Sequence, residues 1–219
     1  MRRVSFIALL FTLAGCAGGM SKDECLYADW RAIGFEDGSR GAPASAVSSR
    51  RAACANKAGV TADMRAYLAG REEGLDQFCR PAKGFDLGAH GGRYDGVCAD
   101  RGEALFLDAF ASGRGLYERQ ADVNAAANAL AAAEADIDGL DHKISKAEAA
   151  LISPATPHED RPAILIDIKQ MTGERTKIKR ALPALRRDLE FAQRELDDYR
   201  GGLAAYDPRG AVSARPASY

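Results

Sequence analysis

The chain has 219 residues, which is enough for one ordinary domain with an extension or for two small domains. It carries 30 Lys and Arg residues against 31 Asp and Glu residues, and this balance excludes the broad basic field of a general nucleic-acid-binding protein. Aromatic residues make up only 7% of the chain, and long alanine-rich stretches have heptad spacing, so the sequence predicts an all-α fold.

The first fifteen residues have the features of a secretory signal peptide. Arg2 and Arg3 provide a positive start, and an apolar run follows from Val4 to about Leu13. This run is far shorter than the roughly 20 residues that a membrane-spanning helix needs. The sequence therefore predicts an exported chain without a transmembrane anchor at this end.

A cysteine follows the apolar run directly. The letters LAGC, which end at Cys16, resemble the bacterial lipobox, a motif in which cleavage falls before the cysteine. The resemblance implies that Cys16 is the lipid attachment residue, with diacylglycerol on its thiol and a fatty acid such as palmitate on its new amino group. Acyl chains contribute about 0.8 kcal/mol per buried methylene, so several of them hold a protein on a membrane stably. Ala17, where some lipoproteins have Asp, resembles lipoproteins of the outer membrane, so we expect the protein there, facing the periplasm.

Four further cysteines, Cys25, Cys54, Cys79 and Cys98, lie in the part of the chain that export would place in an oxidising compartment. An even number of cysteines in that setting predicts disulfides. Their spacings are long and irregular and include no C-x-x-C motif, which argues against a zinc site or a redox motif. Three pairings are possible.

The helix pattern favours one of these pairings. Predicted helices over 22–38 and 45–57 are separated by a Gly/Pro turn, and an antiparallel arrangement would place Cys25 beside Cys54. A third helix, capped by Thr61, would run to about Cys79. A Cys79–Cys98 bridge would then close a Gly-rich surface loop over 80–97.

Glycines recur at four-residue spacing inside the predicted helices, as Gly34 with Gly38 and Gly70 with Gly74. Because glycine inside a helix costs about 1 kcal/mol relative to alanine, its repeated use indicates backbones that pack too closely for a side chain. A binding face lined by glycine and aromatic residues is the alternative. The spacing also suggests a weak internal repeat.

The order of several short motifs resembles a known family. These motifs are CLYADW, the glycines at 34, 38 and 41, YLAGREEGLDQFC, GRYDGVC and FASGRGLYE, which together cover residues 25–118. They are similar to a family of uncharacterised bacterial envelope lipoproteins that is classed as a domain of unknown function. The resemblance implies a small disulfide-bearing helical envelope domain, and it implies no reaction.

The C-terminal half is predicted to be an antiparallel coiled-coil hairpin. Apolar residues recur every seven positions along its first arm, and a second such series runs along its second arm. The first-arm series is Leu116, Val123, Leu130, Ile137, Ile144 and Leu151; the second-arm series is Ile168, Leu182, Leu189, Leu196 and Leu203, with Arg175 as the exception. Folding the arms together would place Leu151 near Ile168 and Leu116 near Leu203.

Charges support this alignment of the arms. At matching levels Glu134 would face Arg186, Asp141 would face Lys179, and Lys143 would face Glu174; Asp122 against Glu195 is the one like-charge exception. The chain reverses in the segment SPATPHEDRP, where either a capping box on Thr156 or a cap at Asp160 would start the second arm. Pro183 predicts a kink in that arm.

No catalytic, cofactor-binding or metal-binding constellation is recognisable. The three histidines, His90, His142 and His158, lie in different predicted elements, and GAHGG is not a phosphate-binding loop because it lacks the G-x-x-x-x-G-K-[ST] pattern. Asp86, His90, Asp95 and Asp100 share a predicted loop and are the best candidates for an unfamiliar site. We expect a protein that is not an enzyme and that needs no cofactor.

These observations divide the chain into five predicted segments. They are a lipoprotein signal peptide (1–15), a lipidated linker (16–24), a disulfide-bonded helical domain (25–115), a coiled-coil hairpin (116–206) and a disordered tail (207–219). The predicted function is a structural or protein-interaction role in the cell envelope, with the hairpin presenting a face to an envelope protein or pairing with a second copy. The alternative is a binding module that uses loop 80–97 to hold a cell-wall fragment or to inhibit a hydrolase.

Overall fold

The computed structural model describes residues 20–205, and every regular element within this range is helical. The helices are α1 (Lys22–Leu26), α2 (Trp30–Ser39), α3 (Val47–Ala58), α4 (Met64–Phe78), α5 (Pro81–Ala89), α6 (Glu103–Ile152) and α7 (Arg161–Ala205), with a short 3₁₀ turn at Ala44–Ala46. The predicted all-α fold is confirmed for this range. The signal peptide, Cys16 and the predicted disordered tail lie outside the described residues.

The chain forms two compact units. The first consists of Met1–Arg80 and Tyr94–Gly102, and its described helices are α1 to α4. The second consists of Pro81–Arg93 and Glu103–Tyr219 and contains α5, α6 and α7.

Two aspartates set the helix starts in the first unit. Asp29 accepts hydrogen bonds from the backbone N–H groups of Arg31 and Ala32, so the predicted helix over 22–38 is in fact the separate helices α1 and α2. Asp63 accepts in the same way from the two residues after Met64 and starts α4 there. The predicted cap at Thr61 is therefore wrong, because the carboxylate of Asp63 satisfies the free N–H groups of the first turn.

Helices α2 and α4 of the first unit pack backbone against backbone. A Cβ atom added at Gly34 would collide with the carbonyl of Tyr67, and one added at Gly74 would lie 2.6 Å from the backbone nitrogen of Ser39. No side chain fits at these positions without separating the helices. The interpretation of these glycines as packing residues is confirmed.

Helices α5 and α6 of the second unit pack in the same manner. A Cβ atom at Gly84 would meet the carbonyl of Phe106, and one at Gly113 would lie 2.7 Å from the backbone nitrogen of Ala89. The prediction of a surface loop over 80–97 is thus wrong for its first half, which is helix α5. The glycines of this segment are typical of loops. Here they lie in helix α5, where the absence of side chains lets α5 pack closely against α6.

The two helix pairs are copies of one arrangement, in which α5 corresponds to α2. Residues 34–41 read GFEDGSRG and residues 84–91 read GFDLGAHG, with the same residue at four of eight positions. Each segment ends in a glycine with φ of +69°, Gly41 beneath the ring of Phe78 and Gly91 beneath the ring of Tyr117. In both, the N–H of this glycine donates to the carbonyl of the glycine three residues earlier, at 2.9 Å.

In the second unit, α6 continues beyond its contact with α5 and forms the coiled-coil-like hairpin with α7. At 50 residues, α6 is about 75 Å long at 1.5 Å per residue. The seam buries Ile137, Leu140 and Ile144 of α6 and Ala192 and Leu196 of α7. Pro183 lies inside α7, which is helical on both sides of it.

The register of the hairpin follows the predicted charge pairs. Glu134 pairs with Arg186 at 3.3 Å, and Asp141 pairs with Lys179 at 3.9 Å and also with Arg175. Among the ion pairs of residues 20–205, the predicted pair of Lys143 with Glu174 is missing. An exposed ion pair contributes only about 0–1 kcal/mol to stability. The long side chains of Lys143 and Glu174 therefore lose little by staying apart.

Candidate interaction surface

The four cysteines of the described chain form the two predicted bridges, Cys25–Cys54 and Cys79–Cys98. Cys25, Cys54 and Cys98 are essentially inaccessible to solvent. The first bridge joins α1 to α3 and packs with Trp30 and Tyr67 in the core of the first unit. Loops closed by bridges of this size stabilise the fold by about 3–4 kcal/mol in the chain-entropy description.

A buried carboxylate without a motif of its own in the sequence lies in the first unit. Asp37 is 1% exposed and accepts hydrogen bonds from Arg40 at 2.9 Å, from Arg50 at 2.5 Å and from the Tyr67 hydroxyl at 3.1 Å. These partners lie in or next to three helices, α2, α3 and α4. In the second helix pair Leu87 occupies the position of Asp37, so the repeat itself does not require a carboxylate.

The electrostatics of Asp37 are those of a satisfied structural charge. Burial acts to raise the pKa of its carboxyl, but the hydrogen bonds from Arg50 and Arg40 outweigh burial, and the pKa is lowered from 3.8. The hydrogen bond to Asp37 in turn raises the pKa of Arg50. An ionised Asp37 therefore holds α3 to the α2–α4 pair.

Two of the residues considered for catalysis, His90 and Asp86, lie together through a backbone contact. His90, which directly follows the last residue of α5, has its Nδ1 atom 2.7 Å from the carbonyl oxygen of Asp86, four residues earlier. Over the described range, no three residues of the His, Cys, Asp or Glu type are arranged to hold a metal ion. Nor does any helix in residues 20–205 combine the length and apolar character needed to cross a membrane.

Large aliphatic side chains are exposed where the hairpin turns. Ile152, the last residue of α6, is 81% exposed, and Leu165 and Ile166 in the first turns of α7 are 57% and 56% exposed. None of the three belongs to the heptad series of the seam. Exposed aliphatic residues at one end of an element mark a surface that another molecule can cover.

The turn between these residues is ordered by its own hydrogen bonds. Arg161 Nη2 donates to the carbonyl of Ser153 at 3.3 Å, and Thr156 Oγ1 donates to the carbonyl of Ala150 at 2.6 Å. Because α7 begins at Arg161, directly after Asp160, the predicted capping box on Thr156 is wrong. The exposed aliphatic residues thus flank a structured turn.

The other end of the hairpin is closed by Tyr199 of α7. Its hydroxyl donates to the carbonyl of Ser112 at 2.8 Å, and the guanidinium of Arg119 stacks 4.0 Å from its ring centre. A side chain at Gly115 would displace this ring, since an added Cβ atom would lie 2.8 Å from the Tyr199 Cζ atom. These contacts fix the alignment of α7 on α6 near the α5–α6 pair.

The sequence contains a signal for the exposed turn. The heptad pattern of α7 requires Ile164 and Ile168, but the segment AILIDI also contains Leu165 and Ile166, more apolar residues than one seam can bury. No sequence pattern indicates the partners of Asp37, because the tertiary fold alone brings Arg50 and Tyr67 to its carboxylate.

One part of the chain is similar to a known protein family. Residues 29–115 match the family model described as "Protein of unknown function (DUF2799)". The match spans both glycine-packed helix pairs and confirms the predicted resemblance to a domain of unknown function. No curated protein and no solved structure matches the chain.

Proposed function

We propose that this chain is a lipid-anchored protein of the cell envelope with a structural or protein-interaction role. Cys16 carries the lipid at the outer membrane, and the chain faces the periplasm. The hairpin presents its turn end to an envelope protein. This role needs no catalysis, and the partner it requires has an apolar groove or face of its own.

One observation carries the proposal, namely the exposed aliphatic turn of Ile152, Leu165 and Ile166. A hairpin that served only to pair its own helices would have no use for them, since all three lie outside its seam. Exposed aliphatic side chains lower the solubility of a protein. A partner that covers them removes this disadvantage, which explains why they are kept at the turn.

The lipobox and the two disulfides support the location. Both bridges lie in the part of the chain that follows Cys16, and disulfides of this kind persist in oxidising compartments such as the periplasm. The disulfides and the lipid attachment motif are independent features of the sequence, and both fit an exported protein.

Crosslinking in intact cells tests the proposal. A photoreactive amino acid replaces Ile166 in the full chain, and a matched variant carries it at Lys177, which is exposed on α7 away from the turn. We expect position 166 to form an adduct with another envelope protein and position 177 to form much less of it. The same adducts from both positions, or none from 166 and none from a second probe at Ile152, would contradict the proposal.

A further inference from the structure

The first described residue of the chain is held against the disulfide of the first unit. The Met20 sulfur lies 3.8 Å from Cys54 Sγ, and Lys57 Nζ donates to the Met20 carbonyl at 3.0 Å. Four peptide steps separate Met20 from Cys16, and four residues reach at most about 14 Å. A lipid on Cys16 would therefore keep this part of the first unit within that distance of the bilayer surface.

The same part of the unit exposes an apolar pair. Leu26 is 50% exposed and Tyr27 is 88% exposed, and both directly follow Cys25, the bridge partner of Cys54. A capping box between Ser21 and Glu24 orders the short helix that precedes them. Tyrosine beside an aliphatic residue is typical of protein segments at the membrane–water interface, where one end of the side chain is apolar and the other polar.

Helix α3, which the bridge joins to α1, carries basic side chains in the same unit. Residues 38–62 contain four basic residues and no acidic one. Arg40 and Arg50 of these are paired with Asp37, whereas Arg51 and Lys57 are exposed on α3. The pKa of the Glu24 carboxyl on α1 is lowered, chiefly by its hydrogen bonds with Ser21 and also by the charge of Lys57, so Arg51 is the basic side chain of the two without this acidic neighbour. Exposed basic side chains close to a bilayer are attracted by anionic phospholipid headgroups.

We propose that Leu26 and Tyr27, with Arg51 and Lys57 of α3, form a surface that lies on an anionic phospholipid membrane. This inference rests on the proposed lipidation of Cys16, because the anchor brings the surface to the bilayer. The surface sets which side of the first unit meets the membrane, a role that the lipid alone does not perform.

Photo-crosslinking to lipids tests this surface separately from native lipidation. In the chain starting at Cys16, the other four cysteines are bonded, so Cys16 can be coupled to a maleimide phospholipid and placed in phosphatidylethanolamine–phosphatidylglycerol vesicles. A benzophenone amino acid replaces Tyr27 in one sample and Leu68, which is 46% exposed on α4, in the matched control. Mass spectrometry then measures phospholipid adducts at each position.

We expect several-fold more phospholipid adduct at position 27 than at position 68, and a lower yield at position 27 when neutral phosphatidylcholine replaces phosphatidylglycerol. A probe at Leu26 should behave like the one at Tyr27. Equal yields at 27 and 68, or adducts at 26 and 27 that are only with protein, would overturn the inference. Because the anchor is attached chemically, these results do not depend on whether cells lipidate Cys16.

Discussion

Gly41 and Gly91 occupy equivalent places in the two helix pairs, each with φ of +69° beneath an aromatic ring. This left-handed conformation suits glycine, and a side chain at either position would also run into the ring. The shared geometry extends to the helix crossings, where Gly34 faces Tyr67 and Gly84 faces Phe106. One packing arrangement is thus used twice in the described chain, and the second copy extends into the hairpin.

Glycine at the helix crossing is required by space. We expect Gly74→Ala to lower the free energy of unfolding by about 3 kcal/mol, since the added methyl group overlaps backbone atoms that cannot move independently. Gly139→Ala is the control: an added Cβ atom there has no neighbour within 4 Å, so better helix propensity should stabilise the chain by about 1 kcal/mol. Urea unfolding measures both, and equal effects would refute the packing role.

Asp37 should make the stability of the first unit depend on acid pH. Its pKa is lowered from 3.8, so its contribution is complete above that value and is lost as the pH falls through the lowered folded-state pKa. We expect Asp37→Asn to cost about 3 kcal/mol at neutral pH, because Arg50 loses its partner.

The pH dependence distinguishes this charge effect from simple loss of packing. Urea unfolding between pH 7 and pH 2 should show a constant difference between the two proteins above about pH 4, the ordinary range of an aspartate, and a shrinking difference below it. A difference that persists unchanged to pH 2 would show that the charge of Asp37 is not what stabilises the unit.

Removal of the Cys25–Cys54 bridge should destabilise the first unit and leave the hairpin helical. The two bridged cysteines are 29 residues apart in sequence. For a loop of this size, the chain-entropy description gives a stabilisation of about 3.5 kcal/mol. We expect the double substitution of both cysteines by serine to speed amide hydrogen exchange in α1 and α3. Faster exchange in the central part of α7 as well, to the same extent, would contradict this local effect.

Tyr199→Phe tests the closure of the hairpin at its base. The substitution removes the hydroxyl that donates to the Ser112 carbonyl but keeps the ring on which Arg119 stacks. A lost hydrogen bond of this kind costs about 1 kcal/mol in unfolding free energy. Tyr27→Phe, at an exposed tyrosine, should have no measurable effect, and equal effects of the two substitutions would argue against the Tyr199 contact.

The regular features of the sequence predicted most of the fold. Heptad spacing located the hairpin seam, and the charges of Glu134 and Arg186 predicted its alignment. Helix α5 was misassigned because glycines such as Gly84 and Gly88 have the same letter in a loop and in a close helix crossing. The Asp37 cluster could not be predicted, since its members are separated by up to 30 residues in sequence and show no periodicity.

Mass spectrometry of the amino-terminal peptide of the protein taken from cell envelopes tests the central claim, anchorage through Cys16. We expect a chain that begins at Cys16 with diacylglycerol on sulfur and an acyl group on nitrogen. An unmodified amino terminus at Cys16, or a chain that still begins at Met1, would contradict it.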